Sequence, residues 1–354
     1  MLKLLKPKKK SILGIDVSST SVKILEISGE APNYQLNAYA SELLPEKAVE
    51  ANVIKDVDAV AGCIKRATSR AKFSTKLAAA AVPDSAVINK VIQINEGLND
   101  EEMEELVVME ADKYIPYPID EINIDFEILG PSAKNSTMLD VLIVASRAEN
   151  VSNRAEVLTQ AGLEAKIVDV ESYAVERAVQ LIAPDLPAEG VDKVIAVIDV
   201  GANYTHLFVL HGMKTVFSRE EEFGARLLIE SLAQRYEMTY EQALEAYMQN
   251  QLLEDYKETV LEPFQEMMLL QVKRTLQFFY STSNHGFVDH ILLAGGLARQ
   301  EGLVDLIQQQ LGVPTTIANP FKHMQLGKML NSEVLNKEAP ALLVACGLAL
   351  RSIE

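Results

Sequence analysis

Ile15–Ile27 reads IDVSSTSVKILEI, and Ile198–Leu210 reads IDVGANYTHLFVL. In each, an apolar run delivers an Asp and a Val, passes through small or polar residues, and returns as a second apolar run. Small residues between two strands predict tight hairpins whose backbone N–H groups can face a ligand. Two copies in one chain predict two similar halves facing each other across a cleft, a repeat of domains and not a solenoid. Asp16 and Asp199 end the first strand of each copy and then stand on opposite walls. Paired carboxylates beside phosphate-binding hairpins suit Mg²⁺ held through water. A single copy would read as a strand ended by a turn residue; two matching copies argue for a site.

Working outward, Lys55–Arg70 has helical spacing, Leu77–Val82 reads as a short buried strand, and Val87–Ile94 alternates like a strand. Asn99 and Glu102 form a capping box for a helix to about Tyr114, closed by Pro116 and Pro118. Ile122–Leu129 and Met138–Ser146 read as strands, Ala148–Ala161 as a helix ended by Gly162, Ala165–Val170 as a strand and Tyr173–Ile182 as a helix. Ala183–Asp192, with Pro184 and Pro187, is the expected linker. Beyond the second copy, Ala225–Tyr236, Thr239–Met248 and Leu261–Tyr280 read as helices. Ile291–Ala294 is a strand running into Gly295-Gly296, a helix follows through Gly302–Gln310, and Ala339–Leu350 is a last apolar helix. Without Cβ atoms, the Gly-Gly backbone can approach a purine or an α-phosphate closely. Alternating strands and helices around two duplicated cores predict a two-lobed α/β protein.

The chain has 354 residues, 48% of them hydrophobic, and a formal net charge of −17. That charge argues against nonspecific nucleic-acid binding, which needs a surplus of Lys and Arg. No apolar run is long enough to span a bilayer, and Cys63 and Cys346 offer no disulfide framework, so a cytoplasmic protein is expected. Five His residues lack a zinc-ligand spacing such as HExxH, and no GxxxxGK[ST] or early GxGxxG is present. The start MLKLLKPKKK carries Lys3, Lys6, Lys8, Lys9 and Lys10; it reads as a solvated terminus in preference to a lipid-binding anchor.

Taken in order, these stretches resemble the actin-like ATPase superfamily of actin, heat-shock chaperones, sugar kinases and the division protein FtsA. Leu13–Ile24 resembles the first phosphate motif and Val197–Leu207 the second. AGLEAKIVDVESYAVERA (Ala161–Ala178) resembles the first connecting segment, and Ala341–Leu350 the second. ILLAGGLARQEGL (Ile291–Leu303) resembles the adenosine motif. The resemblance implies an α/β, actin-like (ribonuclease H-type) two-lobed fold binding ATP and Mg²⁺. It places Asp16 and Asp199 at the metal and Glu171 on the attacking water. Ser18, Ser19, Thr20 and Lys23 then face phosphate from the first hairpin, and Gly201, Ala202, Asn203 and Thr205 from the second. Gly224, Lys273, Arg274, Gly295, Gly296 and Leu297 complete the nucleotide contacts, with Lys273 and Arg274 on ribose and adenine.

Within the superfamily, SILGIDVSSTSVKILEIS (Ser11–Ser28) and LQVKRTLQFFYSTS (Leu270–Ser283) are most similar to the PilM family of type IV pilus assembly. That similarity implies an FtsA-like 1C insertion over residues 84–164. Subdomain 1A takes 1–83 and 165–190, 2A takes 191–220 and 289–338, 2B takes 221–288, and a connecting helix at 339–354 returns to 1A. It also implies a cytoplasmic adaptor on the inner-membrane complex that grips the N-terminal cytoplasmic segment of PilN in a groove between 1A and 1C. PilO, PilP and the pilus motor ATPases are implied as indirect partners. An FtsA-like polymerising protein is the alternative, disfavoured because the sequence stops just after the connecting helix; a sugar kinase is a distant third.

Two departures bear on hydrolysis. Ser18 stands where many relatives have Gly, and Ala202-Asn203 replaces the acid-Gly pair of actin. Asn tolerates positive φ, which would keep that turn, but the acid is lost. Positioning is most of the catalysis in phosphoryl transfer, so ATP binding with slow or no hydrolysis is expected.

Overall fold

The computed structural model describes residues 10–351 apart from Lys134 and Ser136, so the Lys-rich start lies outside the described residues except for Lys10. The first copy of the repeat forms β1 (Leu13–Val17) and β2 (Ser21–Glu30), and β3 (Asn33–Leu43) continues the antiparallel meander. A small hairpin, β4 (Val49–Glu50) and β5 (Val53–Ile54), precedes α1 (Val57–Arg70), whose N-cap Asp56 accepts from the Ala59 amide. β6 (Leu77–Val82) then adds parallel to β1.

The chain next leaves this sheet. β7 (Val87–Asn95), α2 (Asp100–Ala111), β8 (Ile122–Pro131) and β9 (Met138–Arg147) form a three-stranded sheet in the order β7-β9-β8 with one covering helix. The Asn99/Glu102 capping box is present at the start of α2. Ile92, Ile94, Val141 and Ile143 from the sheet meet Met103 and Val107 of α2 in a separate core. The expected insertion over 84–164 divides at Arg147. α3 (Ala148–Gln160) buries Val157 and Leu158 with Val60, Ile64 and Ala67 of α1, in the core of the first lobe. β10 (Glu164–Val170) completes that lobe's sheet beside β6, and α4 (Glu171–Gln180) follows.

After two short helical turns over 183–190, β11 (Val194–Val200), β12 (Thr205–His211) and β13 (Lys214–Glu221) repeat the meander. α5 (Ala225–Arg235), α6 (Tyr240–Met248) and α7 (Glu262–Thr282) follow, then β14 (His290–Ala294), α8 (Leu303–Leu311) and β15 (Thr315–Ile317). β16 (Gln325–Leu326) crosses back to pair with β3, and α9 (Ser332–Glu338) precedes α10 (Leu343–Ala349). The last helix was expected from Ala339; with Pro340 in its first turn, 339–342 is instead a tighter 3₁₀ turn.

The two sheets have the same plan. The order β3-β2-β1-β6-β10 in one is matched by β13-β12-β11-β14-β15 in the other, each an antiparallel meander extended by two parallel strands. α4 and α10 lie between them, sharing one core with Leu25 and Ile27 of β2 and with Ile195 and Val197 of β11. That close stacking depends on two glycines. A Cβ on Gly14 would collide with the backbone of Ala345 and Ala349, and one on Gly347 with the Ala174 carbonyl. Phe264, Met268 and Phe279 of α7 cover the outer face of the second sheet; burying each such side chain contributes about 1.5–3 kcal/mol.

Candidate nucleotide cleft

The two repeat hairpins close in the same way. Ser18 N–H donates to the Ser21 carbonyl (3.0 Å) and Gly201 N–H to the Tyr204 carbonyl (2.9 Å), leaving Ser19-Thr20 and Ala202-Asn203 at the tips. Among the described residues, the amides of these four tip residues donate to no protein acceptor. Those of Ser19, Thr20 and Ala202, which line the space between the two facing turns, can receive anionic oxygens. Neither Ala202 nor Asn203 has positive φ, so the second turn does not draw on the tolerance of Asn for that region.

The cleft between the hairpins has a volume of about 370 Å³. Its wall brings together Asp16, Ser18, Ser19, Thr20 and Lys23 from the first copy with Asp199, Gly201 and Ala202 from the second. Glu171, the first residue of α4, and Gly295, Gly296 and Leu297 beyond β14 join them. Gly295 has φ +86°, and a Cβ there would meet the Val200 carbonyl and lie 2.5 Å from Asp199 Oδ1. Glycine is therefore what lets the turn seat against the carboxylate.

Five expected contacts are placed elsewhere. Thr205 turns inward, its hydroxyl donating to the Phe223 carbonyl (2.7 Å). Gly224 packs beneath the second hairpin, where a Cβ would strike the Ala202 carbonyl; the amides of Ala225 and Arg226 donate to Gly201 and Ala202 at 3.0 and 2.8 Å. Gly224 thus holds the turn in place. Asn203 does not line the cleft. Nor do Lys273 and Arg274. Val272, Thr275, Leu276 and Phe279 form the buried stripe of α7, which turns Lys273 toward Gln310 (3.4 Å) and leaves Arg274 exposed.

The cleft sets three carboxylates, Asp16, Glu171 and Asp199, against three basic side chains, Lys23, Arg154 and His206. Lys23 Nζ sits 3.0 Å from Asp16 Oδ2. Burial acts to lower the Lys23 pKa, but Asp16, with Asp199 and Glu171 beyond, outweighs it and holds the ammonium above its ordinary value. Burial pushes the Asp199 carboxyl up, against the opposing pull of His206 and Lys23. It drives Glu171 to about 7, with Asp16 and Asp84 adding and His206 and Arg154 opposing. A divalent cation beside these carboxylates would favour their ionised forms. Among the described residues no group of three or more His, Cys, Asp or Glu could hold a metal ion. Asp16 and Asp199, on facing walls, offer the one or two carboxylates that a Mg²⁺ ion bound mainly through water and phosphate oxygens would use.

The cleft also holds residues that the sequence reading missed. His206 faces Asp199 across the second hairpin, and its ring pairs with Glu220 of β13. Burial works against its protonation, yet the Glu220 hydrogen bond and the charges of Glu171 and Asp199 raise its pKa to about 9. A signal for it was available, because His206 follows Asp199 at the spacing by which Lys23 follows Asp16. Arg154, 5% exposed on α3, also lines the cleft, as do Asn52, Tyr204 and Tyr247; nothing local in the sequence marks them.

Two duplicated lobes closing on a phosphate-type cleft, with two helices between them, define the actin-like ATPase fold. The family that matches the sequence is described as type IV pilus assembly protein PilM and covers residues 14–353; the chain belongs to it. A solved PilM–PilN type IV pilus biogenesis complex contains a chain 28% identical, with a TM-score of 0.81, covering 98% of this chain and 99% of that one. The ethanolamine utilization protein EutJ from Carboxydothermus hydrogenoformans shares the fold at 17% identity and a TM-score of 0.58, over 98% of this chain and 90% of its own. A diol dehydratase-reactivating factor does so at 10% identity and 0.54, over 96% and 99%. Among the described residues no helix is long and apolar enough to cross a membrane.

Proposed function

We propose that the chain is the cytoplasmic adaptor of the type IV pilus inner-membrane complex, binding Mg-ATP in its cleft and the N-terminal cytoplasmic segment of PilN in a groove beside the inserted sheet. The observation that carries this reading is a second cavity, of about 540 Å³, between the β4–β5 hairpin of the first lobe and the inserted sheet. Val53, Val87, Ile88, Ile115, Tyr117 and Ile122 supply an apolar floor, and Arg147 lies over the Tyr117 ring at 4.1 Å. Beside it, β7 is an edge strand of its sheet. An apolar floor next to an open edge suits an extended peptide, whose backbone can add to the edge while alternate side chains enter the groove. The similar chain solved in complex with PilN supports that choice of peptide.

In the cleft, Lys23 and the amides of Ser19, Thr20 and Ala202 bind phosphate oxygens, Asp16 and Asp199 would hold the metal, and Gly295-Gly296 admits the nucleotide. Glu171 is placed to orient water and, at about 7, is only partly ionised near neutral pH. With Ala202-Asn203 in place of an acidic turn, hydrolysis is slow or absent and the nucleotide serves to hold the lobes. PilO, PilP and the motor ATPases are reached only through PilN. Calorimetric titration of the Mg-ATP-loaded protein with the PilN N-terminal peptide tests the reading: saturable one-to-one binding is expected, and no binding by folded, loaded protein overturns it.

A further inference from the structure

The tip of the β4–β5 hairpin belongs to both cavities. Asn52 lines the nucleotide cleft and, with Ala51 and Val53, the groove. Ala51 and Asn52 both adopt positive φ (47° and 59°), so the tip is a tight turn with little slack. Its two polar ends are tied to different lobes. The Asn52 side-chain amide donates to Glu220 Oε2 on β13, and that same oxygen pairs with His206 in the cleft wall. The Asn52 carbonyl accepts from Arg154 Nη2 at 3.2 Å, on the first lobe. Arg154 also donates to the Asn150 carbonyl (3.1 Å), and Asn150 lines the groove as well. One buried guanidinium in the cleft therefore fixes two positions of the groove wall.

On the reading of the groove as the PilN site, we infer that Asn52 couples the two cavities, so that nucleotide in the cleft sets the peptide affinity of the groove through the His206–Glu220–Asn52–Arg154 chain of hydrogen bonds. A ligand drawn between the hairpins moves β13 relative to α3. Asn52 is bonded to both, so the groove tip must follow or give up a hydrogen bond. Either response changes the groove, and linkage requires the peptide to change nucleotide affinity by the same factor.

The test is calorimetry on the full chain with the PilN N-terminal peptide, with and without saturating Mg-AMPPNP, for the wild type, Asn52→Gly and Glu220→Gln. Glycine keeps the positive-φ turn while removing the amide; glutamine keeps an acceptor for Asn52 while removing the charge that holds His206. The readout is the ratio of the two peptide dissociation constants, which is insensitive to a uniform loss at either site. Expected is a ratio of about fivefold or more in the wild type, falling to within about twofold of unity in both variants. A wild-type ratio that persists in both variants overturns the coupling through Asn52. A wild type that binds peptide with a ratio of unity overturns the coupling and leaves the adaptor reading standing. A wild type that binds no peptide under either condition overturns both.

Discussion

Lys23 and His206 occupy the same register in the two halves of the molecule, Lys23 opposite Asp16 in the first hairpin and His206 opposite Asp199 in the second. Each places a cation beside the carboxylate that ends its first strand, but the second cation can titrate. With its pKa raised to about 9, His206 favours the folded state most fully below the ordinary histidine value near 6.5, and that contribution is lost as pH rises through 9. His206→Gln is therefore expected to cost about 1.5–3 kcal/mol, the range for a hydrogen bond to a charged group, at pH 6. The difference from wild type should shrink toward zero at pH 10. Urea unfolding of both proteins across that range checks it; a pH-independent difference would assign His206 a packing role only.

Lys23→Ala and Asp199→Ala remove opposite charges from opposite walls. Both are expected to weaken Mg-ATP binding about tenfold or more, the scale of losing a charge-assisted contact. Neither side chain belongs to a hydrophobic core, so thermal midpoints in the absence of nucleotide should shift by only a few degrees. Fluorescence titration with a labelled ATP analogue supplies the first number and calorimetric melting the second. Wild-type affinity in both variants would move the nucleotide out of this cleft.

Gly295→Ala combines two penalties. The residue must hold φ +86°, and its new Cβ would press on the Val200 carbonyl and the Asp199 carboxylate. A strained backbone position costs about 1–3 kcal/mol. Denaturant unfolding should show that loss, with nucleotide affinity falling alongside it. Gly296→Ala, where a Cβ meets nothing within 4 Å, is the matched control and should keep its stability.

The architecture was legible because its decisive element occurs twice. One Asp followed by small residues is a turn, whereas two copies, each flanked by continuous apolar runs, implied facing lobes. What stayed hidden has physical causes. β3 and β13, the third strands of both meanders, are half-buried and carry Asn, Ser, Arg and Glu among their apolar residues, so their hydropathy signal is weak. α3 reads as part of the insertion because it follows β9 without a break; only the burial of Val157 and Leu158 against α1 returns it to the first lobe. Lys273 and Arg274 were assigned by motif, but the buried stripe of α7 sets which way they point. Arg154 and Asn52 act through backbone carbonyls and a contact between distant segments, which no local pattern records.

Both thiols are sealed. Cys63 and Cys346 are each 0% exposed; Cys63 Sγ is 2.9 Å from Arg66 Nη2, and burial pushes the Cys346 thiol well above its ordinary pKa. Only the thiolate attacks a disulfide reagent. Native protein is expected to release almost no chromophore from Ellman's reagent over minutes, and two equivalents once unfolded in urea. Fast reaction of either thiol in the native state would show that α1 or α10 opens locally at low cost.

The groove can be blocked from its rim without touching a core. Ser85 is exposed and lines the cavity between the first lobe and the inserted sheet, so Ser85→Trp fills that space while leaving the packing of both sheets alone. PilN-peptide affinity is expected to fall at least tenfold, with melting temperature and Mg-ATP affinity unchanged within error. Tyr117→Ala removes the ring beneath Arg147 and should cost about 1–2 kcal/mol of peptide binding, the scale of an aromatic anchor at an interface. The pair separates two ways of being wrong. If Trp at position 85 leaves peptide binding intact, the peptide lies elsewhere on the surface. If Ser85→Trp abolishes binding while Tyr117→Ala does not, the peptide enters this groove but takes its affinity from the open edge of β7.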